Sequence, residues 1–381
     1  MEKTALLFIS HHPSCLPKYD YIRRIYKNYF SILLFCSHPY LNSEIIGLYS
    51  KDFDHVLVLP DTKYELNILR AGLSLYRFLK NFRNKVKPIM DAHDAFIIFT
   101  NFSAYLPVNA ILSRLMRNNK CKQYIGIGEA PEFKMDIDIL RTLYLLFFTS
   151  IFRLIPVYYH RRLSYLYVLE PRRRILRFNN PFMRIEHFKR YDSKLNPLYH
   201  VFEPIVEQLG FERNIIMIYG DTSVYEAYRC SLPRETYIEK LTLFFNLLSR
   251  HYKGYRLIYK PHPSDQSKVM PGLESINYEL YKNALISEIH LEQNIQQVKA
   301  CYSVASTGLL YSASKGIPSY TLYQYLEFNG EYPRAFFENE NGCENPFLYH
   351  IKRFDEIGAI DAISISPVKN NDRDEWSRLL S

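Results

Sequence analysis

The chain has 381 residues, 48% of them apolar and 23% charged, which is enough apolar material for a large core and excludes global disorder. Its 48 Lys and Arg against 39 Asp and Glu leave a net charge of +9, and 33 Tyr and 25 Phe stand against one Trp. Only 13 glycines exclude collagen-like and Gly-linker architectures, and at roughly 150 residues per domain the length points to two or three domains.

The first half alternates strand and helix signals. Strands are predicted over 4–10 (TALLFIS), 30–36, 55–59 (HVLVL), 95–100 (AFIIFT) and 123–127, with helices over 18–28, 42–49, 64–81 and 107–117 between them. Short apolar strands with little alternation belong to a parallel sheet covered on both faces, and alternating βα units imply a doubly wound α/β domain. Pro181, Pro197 and Pro204 break residues 179–213, which carry no sustained periodicity and read as a linker. A second α/β pattern follows. Strands are predicted over 214–219, 255–260, 284–289 (the weakest), 300–304 and 319–323, and helices over 234–250, 295–298 and 306–315. Gly316 and Pro318 close the last helix. The fold class expected is therefore α/β, with two Rossmann-like domains, 1–200 and 201–381, facing a central cleft.

Six cysteines, Cys15, Cys36, Cys121, Cys230, Cys301 and Cys343, are spread along the chain without a CxxC pair. That spacing suits free thiols in a reducing compartment better than a disulfide framework or a zinc site. The first apolar run is too short for a signal-peptide core and reads as a buried strand, so a cytoplasmic location is expected. Residues 137–159 are strongly apolar, but Asp138, Arg141 and Arg153 interrupt them and Pro156 breaks their end. They fall short of the ~20 uninterrupted residues a span needs and read as a buried or interfacial helix. A basic cluster follows: Arg161, Arg162, Arg172, Arg173, Arg174, Arg177, Arg184, Lys189 and Arg190, interleaved with Tyr158, Tyr159, Tyr165, Tyr167, Phe178 and Phe182. A solvated surface, an anionic-membrane patch and a nucleic-acid face all fit this composition, and no nucleic-acid motif supports the last.

Three polar clusters carry chemistry. Lys260-Pro261-His262-Pro263 follows a strand; its prolines hold His262 extended, where an imidazole meets a phosphate or protonates a leaving oxygen and Lys260 adds charge. Ser306-Thr307-Gly308 opens a helix, where hydroxyls beside backbone N–H groups make an anion site. Gly128-Glu129-Ala130 follows a first-domain strand, and Glu129 is placed to take a proton from an attacking hydroxyl, with Glu132 and Asp221 as rivals. Gly220-Asp221-Thr222 also ends a strand and lines the same predicted edge. Asp136-Ile137-Asp138 has DxD spacing but reads as the charged start of the apolar helix, so no metal site is assigned.

The ordered set of strand-end acid, His-Pro and Ser-Thr resembles that of bacterial GT-B sialyltransferases, the lipooligosaccharide sialyltransferase and capsular polysialyltransferase type. His262-Pro263 and Ser306-Thr307 match that group's second and third motifs as written; Gly128-Glu129-Ala130 keeps one acid of the first and has alanine where the group has glycine. The resemblance implies a GT-B architecture and an inverting transfer of sialic acid, or a related nonulosonic acid, from a CMP-activated donor to a glycan or glycolipid acceptor of surface lipooligosaccharide or capsule. It makes Glu129 the base and His262 the acid or electrophile, with Ser306 and Thr307 on the donor phosphate. It places Glu288, at the end of the predicted 284–289 strand, on the nucleotide ribose. No cofactor and no metal are expected; the CMP-sugar is a co-substrate. The implied partners are that donor, the acceptor and an anionic membrane surface at the inner face of the cytoplasmic membrane, with no nucleic acid and a homodimer left open. CMP-Kdo transferases, CDP-glycerol glycerophosphotransferases, UDP-sugar enzymes (transferase or 2-epimerase) and a non-catalytic GT-B capsule-assembly subunit remain alternatives.

Overall fold

A computed structural model describes residues 3–10, 15–36, 43–59, 68–100, 106–115, 118–126, 167–169, 188–190, 212–220, 225, 230–262, 269–281, 286–329, 337 and 345–362. The chain divides into two compact units whose boundary falls between Asp192 and Ser193.

The first unit is built on strands β1 (Thr4–Ser10), β2 (Phe30–Cys36), β3 (His55–Leu59), β4 (Ala95–Thr100) and β5 (Cys121–Gly126), with helices α1 (Leu16–Ile25), α2 (Ser43–Ser50), α3 (Ile68–Ala92) and α4 (Leu106–Leu115). The strands pair in parallel in the order β3-β2-β1-β4-β5. Two short strands, β6 (Tyr167–Leu169) and β7 (Phe188–Arg190), extend the β5 edge antiparallel. Strand β1 is buried along nearly its whole length, as a strand covered on both faces must be. Its Ala5, Leu7 and Ile9 face a cluster with Ile32, Leu34, Phe78, Phe82 and Ile111, while Phe8 stacks on Phe99 with ring centroids 4.8 Å apart on the other side. Helix α3 runs eleven residues past the predicted end at 81, to Ala92, because its apolar repeat continues through Phe82, Val86 and Met90. Pro88 lies in its last turns.

The basic, aromatic stretch contributes β6 and β7, and β7 also falls within the predicted linker. Three-residue strands are too short to show a period in sequence. The apolar segment 137–159 and the rest of the basic cluster lie outside the described residues. Among those described, no helix is long and apolar enough to cross a membrane.

The second unit has strands β8 (Ile215–Gly220), β9 (Arg256–Pro261), β10 (Glu279–Leu280), β11 (Val298–Ser303), β12 (Ser319–Thr321) and β13 (Leu348–His350), and helices α5 (Arg234–His251), α6 (Ser287–Asn294) and α7 (Gly308–Ser314). All pairs are parallel, in the order β10-β9-β8-β11-β12-β13. The chain winds outward from β8 to one edge and then returns to β8's other side, the Rossmann order with its switch point between β8 and β11. Two predictions are corrected here. Residues 287–294 form helix α6, not the end of a strand, and 295–297 are a turn after which Val298 begins β11, so 295–298 are not a helix. Ser287-Glu288 is a helix start with an acid in its first turn, and buried Ile286, Ile289 and His290 repeat at helical spacing.

Register sorts the second sheet's side chains. Tyr219 pairs with Lys260 and with Ser303, so these three share a face. The opposite face carries Tyr302, which packs on Phe244 of α5 with ring centroids 6.0 Å apart. Gly316 stands just past α7 with φ of +73°, the left-handed stop that its position predicts.

Candidate active site at the carboxyl edge of the second sheet

In open α/β sheets ligands bind beyond the carboxyl ends of the strands at the switch point. Here that edge carries the end of β8, the end of β9, and the starts of α6 and α7. Strand β8 ends at Gly220. A Cβ there would lie 2.0 Å from the Tyr259 hydroxyl oxygen, so glycine is required by the ring on the neighbouring strand. Asp221 and Thr222, named with Gly220 from sequence, lie outside the described residues.

Strand β9 ends at Pro261, and His262 follows it exposed to solvent. One residue before, Lys260 is 1% exposed. Its Nζ donates a 2.9 Å hydrogen bond to the Pro261 carbonyl, so the ammonium secures the main chain that presents His262. Burial pushes its pKa down to about 8, and the nearby Glu288 carboxylate opposes that fall. Lys260 therefore sits beneath the turn, on the face shared with Tyr219. Pro263 lies outside the described residues.

Glu288 is 9% exposed in the first turn of α6, where the helix dipole favours a carboxylate. The structure thus brings Glu288 and Lys260 into electrostatic contact, although the strand predicted to carry Glu288 is a helix. Two residues on, His290 is fully buried, and neither ring nitrogen has a hydrogen-bond partner among the described residues. Burial, with the Lys260 charge adding to it, pushes its pKa down to about 4, so the ring is neutral at physiological pH.

The Ser306-Thr307 segment connects β11 to α7. The Ser306 N–H donates to Ser303 Oγ at 3.2 Å, and Ser306 Oγ accepts from the Gly308 N–H at 3.2 Å. The Leu309 N–H is taken by the Ser306 carbonyl at 3.1 Å. These N–H groups at the helix start are therefore already engaged, a correction to the free donors expected from sequence. Thr307, the N-cap residue, makes no side-chain capping bond, and it and Ser306 remain part-exposed. Gly308 brings α6 and α7 together: a Cβ on it would lie 2.8 Å from Ser287 Cβ. Farther along, Glu292 of α6 accepts from the Tyr311 hydroxyl and pairs with Lys315 Nζ at 3.0 Å. The site is thus a seam of two helix starts over the buried Lys260 and Glu288, with an exposed imidazole at the end of β9. Such an arrangement can hold an anion with hydroxyls and bring a proton donor to it.

Sequence reasoning missed Ser287, His290, Tyr219 and the contact role of Gly308. A histidine between Ile289 and Leu291 was the available signal; the glycine's need for space depends on a neighbour 21 residues away in sequence. Glu129 and its rival Glu132 lie outside the described residues.

A family model described as alpha-2,8-polysialyltransferase (POLYST) matches residues 62–324, more than half of the chain. No curated protein matches it in sequence. Among solved structures, the UDP-GlcNAc 2-epimerase of Neisseria meningitidis bound to UDP-GlcNAc is similar at a TM-score of 0.50 and 11% identity, over 99% of both chains. A putative UDP-N-acetylglucosamine 2-epimerase from Listeria monocytogenes is similar at 0.51 and 10% identity, over 99% of this chain and 91% of that one. A family 9 glycosyl transferase from Veillonella parvula has a TM-score of 0.40 at 12% identity, over 100% of this chain and 97% of that one. At these identities the likeness to the two epimerases concerns the fold alone, and it agrees with the GT-B-like α/β class.

Proposed function

This chain belongs to the alpha-2,8-polysialyltransferase family, a sialyltransferase-type glycosyltransferase group, and we propose that it moves sialic acid from a CMP-activated donor to a glycan or glycolipid acceptor in surface polysaccharide synthesis. The observation that carries this reading is that His262 and Ser306-Thr307, two motifs of the resemblance, follow the carboxyl ends of β9 and β11, the two strands that flank β8 in one Rossmann sheet. In the proposed reaction the acceptor hydroxyl attacks the anomeric carbon with inversion while the bond to the CMP phosphate breaks. Glu129 takes the hydroxyl proton. His262 and the Ser306 and Thr307 hydroxyls stabilise the charge that develops on the departing phosphate. Lys260 fixes the His262 turn, and Glu288 faces the nucleotide ribose. No metal enters the scheme. Residues 1–200 would hold the acceptor and 201–381 the donor, with the protein peripheral on an anionic membrane face.

The test is nucleotide release from CMP-sialate, CMP-Kdo, CDP-glycerol and UDP-GlcNAc in parallel. CMP-sialate is expected to turn over fastest. Release from CMP-Kdo, CDP-glycerol or UDP-GlcNAc alone would replace the donor in this reading, and no release from any, with the required acceptor present, would favour a non-catalytic subunit.

A further inference from the structure

Helix α3 has two faces with different chemistry. One, Leu75, Phe78, Leu79, Phe82, Val86 and Met90, is buried in the first sheet's core. The other exposes Leu73, Tyr76, Arg77, Lys80, Arg83 and Lys87. At 3.6 residues per turn these six fall within an arc of about 120°, and at 1.5 Å per residue they run for about 21 Å. The apolar pair heads the row and is well exposed, Leu73 at 51% and Tyr76 at 60%. None of the four cations pairs with a carboxylate among the described residues. Lys85, off the stripe, is bound instead to the Val58 carbonyl at 2.7 Å. Asp91, in the last turn, is the sole acid of the helix.

We propose that this face of α3 docks on an anionic lipid bilayer. A row of unpaired cations on a helix that also exposes apolar side chains matches negatively charged headgroups over hydrocarbon. A soluble polyanion would meet the cations but gain little from Leu73, and a helix back is convex where a glycan chain needs a groove. The topology orients the contact. Helix α3 joins parallel strands β3 and β4, so it runs back from their carboxyl to their amino edge, and Leu73 and Tyr76 lie toward the carboxyl edge. That is the edge where α/β sheets bind ligands. The inference deepens the membrane part of the reading above and is independent of the donor's identity.

The test is co-sedimentation of the full chain with vesicles of phosphatidylcholine alone or mixed with phosphatidylglycerol. Wild type binds the mixed vesicles and is released by salt. R77E/K80E/R83E/K87E weakens that binding by about a thousandfold, since each of the four cations contributes about five- to sixfold near an anionic surface. L73S/Y76S weakens it by about tenfold. Both variants melt like wild type and transfer sugar to a soluble acceptor at the wild-type rate, which separates this outcome from a failure of the donor reading. Unchanged vesicle binding by the charge-reversed variant overturns the proposal. So does loss of binding only when Arg172, Arg173 and Arg174 are reversed. Wild type that ignores the mixed vesicles yet binds heparin through the α3 cations would also overturn it and assign the face to a polyanionic glycan.

Discussion

At the centre of the first sheet, Leu7, Ile9, Ile32 and Leu34 pack against Phe78 and Phe82. At the corresponding place in the second sheet stand Tyr219, Lys260 and Ser303, with Glu288 and His290 above them. Both sheets share the central order in which the third, second, first and fourth strands of each lie side by side, so topology does not explain the difference. Burying an amine, a carboxylate and an imidazole costs stability unless each is satisfied. A fold that keeps such groups under one strand edge, with an exposed His262 beside them, is organised there for chemistry. The first sheet's described interior is organised for packing, and its most distinctive surface is the back of α3.

The largest expected effect tests the buried pair. Lys260→Met should lower transfer about a hundredfold by freeing the Pro261 carbonyl and misplacing His262. In wild type the ammonium is lost as pH rises through about 8, so activity should fall there. Because the folded pKa lies below the ordinary value of 10.5, the buried charge also costs stability below about 8, a cost relieved as pH rises towards 10.5. A rate flat through this range would remove Lys260 from the account. Next comes Asp361→Ala. Asp361 accepts from Tyr252 at 2.7 Å and Tyr320 at 2.6 Å, and Tyr302 stacks on Tyr320 with centroids 4.5 Å apart. Loss of this anchor should cost about 2 kcal/mol in urea denaturation, and part of the tyrosine excess has its use here.

Gly220→Ala should cost a similar 1–3 kcal/mol, about the range for overpacking. Gly47→Ala in the first unit, with open space around the added methyl, should stabilise by about 0.5–1 kcal/mol. Equal effects would erase the contrast between the units. A further effect, read against pH, is at His290. Its folded pKa of about 4 lies below the ordinary 6.5, so the unfolded chain binds a proton first as pH falls. Stability should drop between about 6.5 and about 4, and His290→Leu should flatten that drop while raising the neutral-pH melting temperature by a few degrees. A steeper acid limb in the variant would contradict the burial.

The long elements were legible because burial on both faces leaves apolar runs that punctuation closes. Examples are 4–10, 30–36 and 95–100, together with the Gly316-Ile317-Pro318 stop. Helix α6 was not, since ALISEI reads equally as a strand, and length could not arbitrate for an eight-residue helix. Within the site, Lys260, His262, Glu288, Ser306 and Thr307 were named from types and order. That Lys260 faces inward beneath the turn was hidden, because it depends on which face of β9 meets α6. The use of Ser306 Oγ as a local cap was hidden for the same reason: one hydroxyl serves a helix start or a phosphate equally well in sequence.

The central claim is that the His262 edge of the second sheet performs the transfer. It is tested most directly by the initial rate of CMP release from CMP-sialate, acceptor present, for wild type and His262→Ala at matched melting temperature. The variant is expected to fall by about 10²–10⁴-fold, the range for loss of a positioned acid. A variant as fast as wild type would contradict it.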